Sequence, residues 1–192
     1  MFGLIVGLFV LHFLWRYWNE KRDKDLLCAA ILISVLPLLH THSLISLVII
    51  SFFLFFGEVW APFRAGDIEG FYKIVKRWII NFGVPMLLIA VPQLLIVFPS
   101  DKGSFIHWGF FTAGPDNMFM YWLKNLFPHI LIFIAAYIVS PTKLRTFFNS
   151  FIGLFLISNL IVFQPYSFDN FKFTVWFFIG GLMLVTILID KI

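Results

Sequence analysis

The sequence predicts an all-α, polytopic transmembrane helix bundle of about seven spans, with the N-terminus outside and the C-terminus cytoplasmic. Three observations carry that expectation. Of 192 residues, 61% are apolar, 20% aromatic and only 12% charged, with a mean hydropathy of +0.95, whereas soluble domains hold about 25% charged residues. The apolar residues gather into seven runs of helical length. The Lys and Arg residues fall mostly into alternate connections between those runs. At roughly 20 residues per crossing, seven spans with short loops consume the chain, so residues 1–192 read as a single transmembrane helical domain.

The runs are Phe2 to Trp18, Leu26 to Leu39, Ser43 to Trp60, Trp78 to Phe98, Asn117 to Ser140, Phe147 to Phe163 and Phe171 to Ile189. The first two are short, since about 15 residues at 1.5 Å rise reach about 22 Å of a roughly 30 Å hydrocarbon core. Between the third and fourth runs, Ile68, Phe71, Tyr72 and Val75 recur at i, i+3, i+4, i+7, with Asp67, Glu69, Lys73 and Lys76 on the other face. That spacing predicts a cytoplasmic interfacial helix near 63–77. An outer loop near 99–117 is the one connection long enough to fold over a cavity.

Charge sets the orientation. Arg16, Lys21, Arg22, Lys24, Arg64, Lys73, Lys76, Arg77, Lys143, Arg145 and Lys191 fall on one side, against Lys102, Lys124 and Lys172 on the other. The positive-inside rule makes the first side cytoplasmic. The net charge of +4 therefore reflects topology and not a nucleic-acid surface, for which these residues form no patch. The single cysteine, Cys28, has no partner in the chain for a disulfide.

With that orientation the outer connections hold the groups able to bind a ligand. The first outer turn carries His40, Thr41, His42 and Ser43; the second carries Asp101, Lys102, His107, Asp116 and Asn117; the third carries Gln164, Asp169, Asn170 and Lys172. His40-x-His42 has three readings: capping of helix ends, metal ligation, or contact with an anionic headgroup or sugar hydroxyl. No third ligand stands at a diagnostic spacing, so no cofactor is expected. In the long loop His107, Trp108, Phe110 and Phe111 lie near acids, a combination that serves either the interfacial belt or the stacking of sugar rings. Lys124, at the edge of the fifth run, either snorkels to the surface or holds a lipid phosphate. Asp169 and Asn170 open the last helix, where caps are favoured. Asn159, inside an apolar run, needs a partner.

The segment Leu36-Pro-Leu-Leu-His40-Thr-His42-Ser43, with Asn159 to Lys172 and Trp176 far downstream, resembles the C-terminal part of a group of prokaryotic integral membrane proteins. That group is similar to the GT-C-class glycosyltransferases that use polyprenyl-phosphate sugars. The resemblance implies a helical bundle acting at the outer face of a bacterial or archaeal cell membrane on a lipid-linked sugar. It implies Lys124 and Lys172 on the donor phosphate, His40 and His42 lining the cavity, and Asp169 with Asn170 on sugar hydroxyls. The catalytic carboxylate of that class lies in a first long outer loop, and no acidic pair of that kind occurs here. A general base then has to come from Asp101, Asp116 or another membrane chain, which makes this chain a fragment or a partnered subunit. The alternative readings are a non-catalytic structural subunit and a transporter, the latter disfavoured because the span middles lack acids.

Overall fold

The computed structural model describes residues 2–97, 106–110, 117–163 and 167–191. The chain is all-α and divides into two compact units, residues 1–103 and 104–192. Three helical stretches are long and apolar enough to cross a membrane, Thr41–Ala65, Ile68–Val97 and Asp169–Ile189; a bent pair, Met118–Leu126 with His129–Val139, makes a fourth if it counts as one span.

The first unit holds α1 (Phe2–Glu20), α2 (Asp23–Ser34), α3 (Leu36–Leu39), α4 (Thr41–Ala65), α5 (Ile68–Trp78), a π turn (Ile79–Gly83) and α6 (Val84–Val97). α1 stops where Lys21 takes a left-handed conformation, φ 54°, and its N–H bonds the Tyr17 carbonyl at 2.7 Å. Asp23 and Asp25 in the first turn of α2 suit the positive end of the helix dipole. α2 is the centre of the unit: Leu26, Ala29, Ala30 and Ile33 are fully buried, and it packs on α1, α4, the π turn and α6. Gln93, a polar residue in apolar α6, ties that helix to α2 by donating to the Ser34 carbonyl at 2.9 Å.

The expected interfacial helix is arranged differently. Gly66, at φ 70°, ends α4 as a left-handed cap, and the Asp67 carboxylate then opens α5 by accepting from the Gly70 N–H at 2.9 Å. Phe63 to Ala65 thus belong to α4. α5 runs through the π turn into α6 as one 30-residue helix, about 45 Å long at 1.5 Å per residue. The amphipathic stretch is the first third of a long helix, because nothing between Ile68 and Val97 removes enough backbone donors to break it.

The second unit holds β1 (His107–Trp108), α7 (Met118–Leu126), α8 (His129–Val139), α9 (Thr142–Leu160), β2 (Ile161–Val162), a 3-10 turn (Ser167–Phe173) and α10 (Thr174–Ile189). α7 and α8 meet at 82° at the cis Phe127–Pro128 junction, where proline has no N–H to continue the helix. α10 packs on α8 and α9 through Gly180 and Gly181. A Cβ at Gly180 would stand 2.6 Å from the Phe151 ring, and one at Gly181 would overlap Phe133. Missing side chains on α10 admit the rings of α8 and α9. Phe133, Phe148 and Phe155 then close around Phe177. Antiparallel β1 and β2, registered His107 to Val162 and Trp108 to Ile161, clasp the end of α9.

Candidate functional site

The residues expected in the outer turns fall in different units. His40 and His42 lie in the first; His107, Lys124, Asp169, Asn170 and Lys172 lie in the second. Asp101, Asp116 and Gln164 lie outside the described residues, as does most of the loop near 99–117.

His40 is a helix cap. Its Nδ1 accepts from the Ser43 backbone N–H at 3.3 Å and pairs with Ser43 Oγ at 2.7 Å, which leaves the ring proton on Nε2 in the neutral tautomer. Gly3 of α1 lies directly against its Cβ. The His42 ring stands 5.5 Å from that of His40, centroid to centroid. Among the described residues no three His, Cys, Asp or Glu side chains gather closely enough to hold a metal ion.

In the second unit the C-terminal end of α9 collects the polar groups. Asn170 is fully buried; its Nδ2 donates to the carbonyls of Ser158 at 2.6 Å and Ile161 at 2.8 Å, and its Oδ1 accepts from the Phe163 N–H at 2.9 Å. One amide therefore closes the backbone where α9 gives way to β2, and it is fully engaged in doing so. Asn159 answers the question its apolar setting raised: Oδ1 accepts from the Trp122 indole N–H at 2.5 Å, and Nδ2 donates to the Phe155 carbonyl at 2.6 Å. On either side of Asn170 in the chain, Asp169 and Lys172 form an ion pair at 3.0 Å, both partly open to solvent. His107 is exposed on β1, and Lys124 is exposed in the last turn of α7.

Below this polar end two cavities of about 280 and 400 Å³ adjoin, sharing Ile130, Phe155 and Leu156. Trp122 and Asn159 stand at one end and Tyr137 at the other. Their walls are almost wholly apolar. The result is a continuous groove along α8 and α9 that ends at Asn159 and Leu160 of the α9 terminus.

Comparison with protein-family models, with curated proteins and with solved structures finds no match to this chain.

A second polar centre lies in the first unit, where Lys21 and Arg77, which read in the sequence as topological charges, meet a carboxylate of α4. Glu58 of α4 is nearly buried, and its Oε2 accepts from the Tyr17 hydroxyl at 2.8 Å and the Trp78 indole N–H at 2.9 Å. Its Oε1 faces Lys21 Nζ at 3.3 Å and the Arg77 guanidinium at 3.9 Å, and Arg77 also holds Asp23 at 2.9 Å. Lys21 lies over the Trp18 ring, 4.2 Å from its centroid. Nearby, buried Asp25 takes Arg22 at 2.8 Å and Arg16 at 3.7 Å. This network clamps α1, α2, α4 and α5 at one end of the unit. No spacing rule in the sequence joins Tyr17, Glu58 and Trp78; the signal available was a lone acid inside the third apolar run.

Proposed function

We propose that this chain is a lipid-binding, non-catalytic subunit of a membrane glycosyl-transfer system, holding the hydrocarbon chain of a lipid-linked sugar while a partner chain supplies the catalytic carboxylate. The observation that carries the reading is the almost wholly apolar groove along α8 and α9, with the amide of Asn159 and the indole of Trp122 at one end. In a bilayer an apolar groove gains nothing from hydrophobicity alone, because lipid tails are equally apolar. Selection has to come from shape. Rigid aromatic walls at Trp122, Phe133, Phe155 and Phe177 favour a methyl-branched isoprenoid chain, whose double bonds leave fewer rotamers to freeze than an acyl tail has. The headgroup phosphate would meet Lys172, with His107 and Lys124 as further donors at that end.

Asn170, Asn159 and His40 use their polar atoms on their own backbone or neighbours, which supports a holding role over chemistry by this chain. Counting α2 with α3 as one segment and the bent pair as one gives seven helical segments, of which three or four are long and apolar enough to cross by themselves; we read all seven as crossings, with the basic residues favouring an outside N-terminus and a cytoplasmic C-terminus. We place the protein in a bacterial or archaeal cell membrane on the resemblance.

The test is retention of a long-chain polyprenyl phosphate by purified protein in nanodiscs, followed by native mass spectrometry against phosphatidylglycerol as the acyl phosphate control. Preferential retention is expected, weakened by Leu156→Trp, which fills the groove, and by Lys172→Ala. Equal retention of the two lipids, or indifference to Leu156→Trp, overturns the reading.

A further inference from the structure

A different cavity, in the first unit, points to a second ligand. The groove between α4 and the π turn has a volume of about 250 Å³ and is walled by Phe52, Phe55, Trp78, Ile79 and Phe82 with Ser51 among them. Ser51 is 2% exposed, and its hydroxyl has no hydrogen-bond partner. That is unusual within this molecule. The buried serines 34, 46, 150 and 158 each donate to a carbonyl of their own helix, to Ile31, His42, Phe147 and Phe155, at 2.7–3.0 Å. Such back-bonding is open to any helical serine, and leaving a buried hydroxyl without it carries a desolvation penalty. The Ser140 hydroxyl is also unmatched, but it sits at a helix end beside Pro141 and lines none of the described cavities. The other wall of the Ser51 groove contains the π turn, a backbone irregularity that recurs at binding sites. Gly83 there keeps the groove wall low.

We propose that this groove binds a flat, apolar ring compound carrying a carbonyl, a molecule of the isoprenoid-quinone class, with the Ser51 hydroxyl donating to that carbonyl. Three features select the class. Ser51 lies near the middle of α4, about 15 Å from Thr41, a depth at which phosphate and ester headgroups do not sit but a quinone ring does. The surrounding rings offer flat faces suited to stacking. The Trp78 N–H is taken by Glu58, so Ser51 is the polar group left to meet a ligand oxygen. Phe52, 56% exposed, lines the same groove, and the ligand reaches the buried hydroxyl through side-chain movement in the groove wall. Binding is non-covalent, and no electron transfer is part of the assignment.

The experiment is a thermal-unfolding and tryptophan-fluorescence titration of the full chain in nanodiscs with decylubiquinone, using decylbenzene as a ligand with the same tail and no carbonyl. Wild type is expected to show saturable quenching and a rise in Tm with decylubiquinone. Ser51→Ala is expected to weaken that binding about 3- to 10-fold, the size of one hydrogen bond, while raising the Tm of the ligand-free protein, because a buried orphan hydroxyl is removed. Ser51→Thr, which keeps the hydroxyl, retains binding, and decylbenzene does not distinguish the variants. Opposite signs for stability and affinity are what a purely structural serine cannot produce. Non-saturable quenching, or equal affinity of wild type and Ser51→Ala for decylubiquinone, overturns the assignment. So does a Ser51-dependent self-association that excludes decylubiquinone, which would place a second transmembrane helix in the groove.

Discussion

Replacing Glu58 by Ala should be among the most damaging single changes in the first unit. The carboxylate accepts from Tyr17, 1% exposed, and from Trp78, 5% exposed. Neither donor reaches water when the acceptor is removed, and an orphaned buried donor costs about 1–3 kcal/mol, which places the pair at about 2–6 kcal/mol. The ion pairs add less. The Lys21 side chain is 40% exposed and rehydrates, and Arg77, 24% exposed, keeps Asp23, so solvent screening holds each to about 1 kcal/mol or below. A total near 4 kcal/mol is expected for Glu58→Ala. Glu58→Gln keeps one carbonyl oxygen to accept from Tyr17 and Trp78 but turns an NH2 toward Lys21, so its cost is about 1–2 kcal/mol. In the Glu58→Ala background, Tyr17→Phe removes one orphan and recovers about 1 kcal/mol, a coupling that a double-mutant cycle measures. The assay is unfolding of the detergent-solubilised protein by sodium dodecyl sulfate, followed by tryptophan emission. A Glu58→Ala variant no less stable than Glu58→Gln, or additive behaviour with Tyr17→Phe, refutes the clamp.

Further outcomes follow from the second unit and from the charges. Gly180→Ala and Gly181→Ala drive a methyl into the Phe151 and Phe133 rings and should each cost about 1–3 kcal/mol; wild-type unfolding midpoints would show that the interface is looser than described. Asn170→Ala strands two carbonyls and one N–H at the α9 terminus, for about 2–4 kcal/mol, whereas Lys172→Ala, at a half-exposed pair, should change stability by less than about 0.5 kcal/mol; equal effects would refute the structural role given to Asn170. In a Cys28→Ala background, a cysteine at Lys143 should react with membrane-impermeant maleimide only after cells are opened, and one at Lys102 in intact cells; the reverse pattern would invert the proposed orientation.

Each apolar run in the sequence holds helix in the structure, because long runs of Leu, Ile, Phe and Val leave the backbone no polar side chain to compete for its hydrogen bonds, although the sixth run ends in β2 at Ile161–Val162. The junctions were less legible. Gly66 and Asp67 are a left-handed stop and an N-cap, a pair that marks a helix boundary, yet the i, i+3, i+4, i+7 spacing of Ile68 to Val75 on its own runs past it toward Phe63. The bend at Pro128 lay inside an apolar run that read as one span. The His107–Trp108 and Ile161–Val162 pairing is two residues long on each side, too short to show any alternation. Among the candidate site residues, Asp169 and Lys172 were read separately, as a cap or sugar contact and as a phosphate contact, and in the structure they pair with each other. Spacing did not foretell that Asn170, between them, faces the opposite way into the protein, since its partners come from the preceding helix.

The scarcity of polar groups makes their disposition in this molecule informative. Inside a bilayer a polar atom has no water to fall back on, so each one has to be matched within the protein or by something bound to it. Asn159 closes on Trp122 and Phe155, Asn170 on three backbone groups, Gln93 on Ser34 and Ile89, Tyr137 on Asn149, and Glu58 on four side chains. These matches explain residues that would otherwise suggest a polar path through the membrane, and they weaken a transporter reading without appeal to missing acids. By the same logic the unmatched Ser51 hydroxyl, set mid-helix against a groove of aromatic rings, is a group whose proposed partner lies outside the chain.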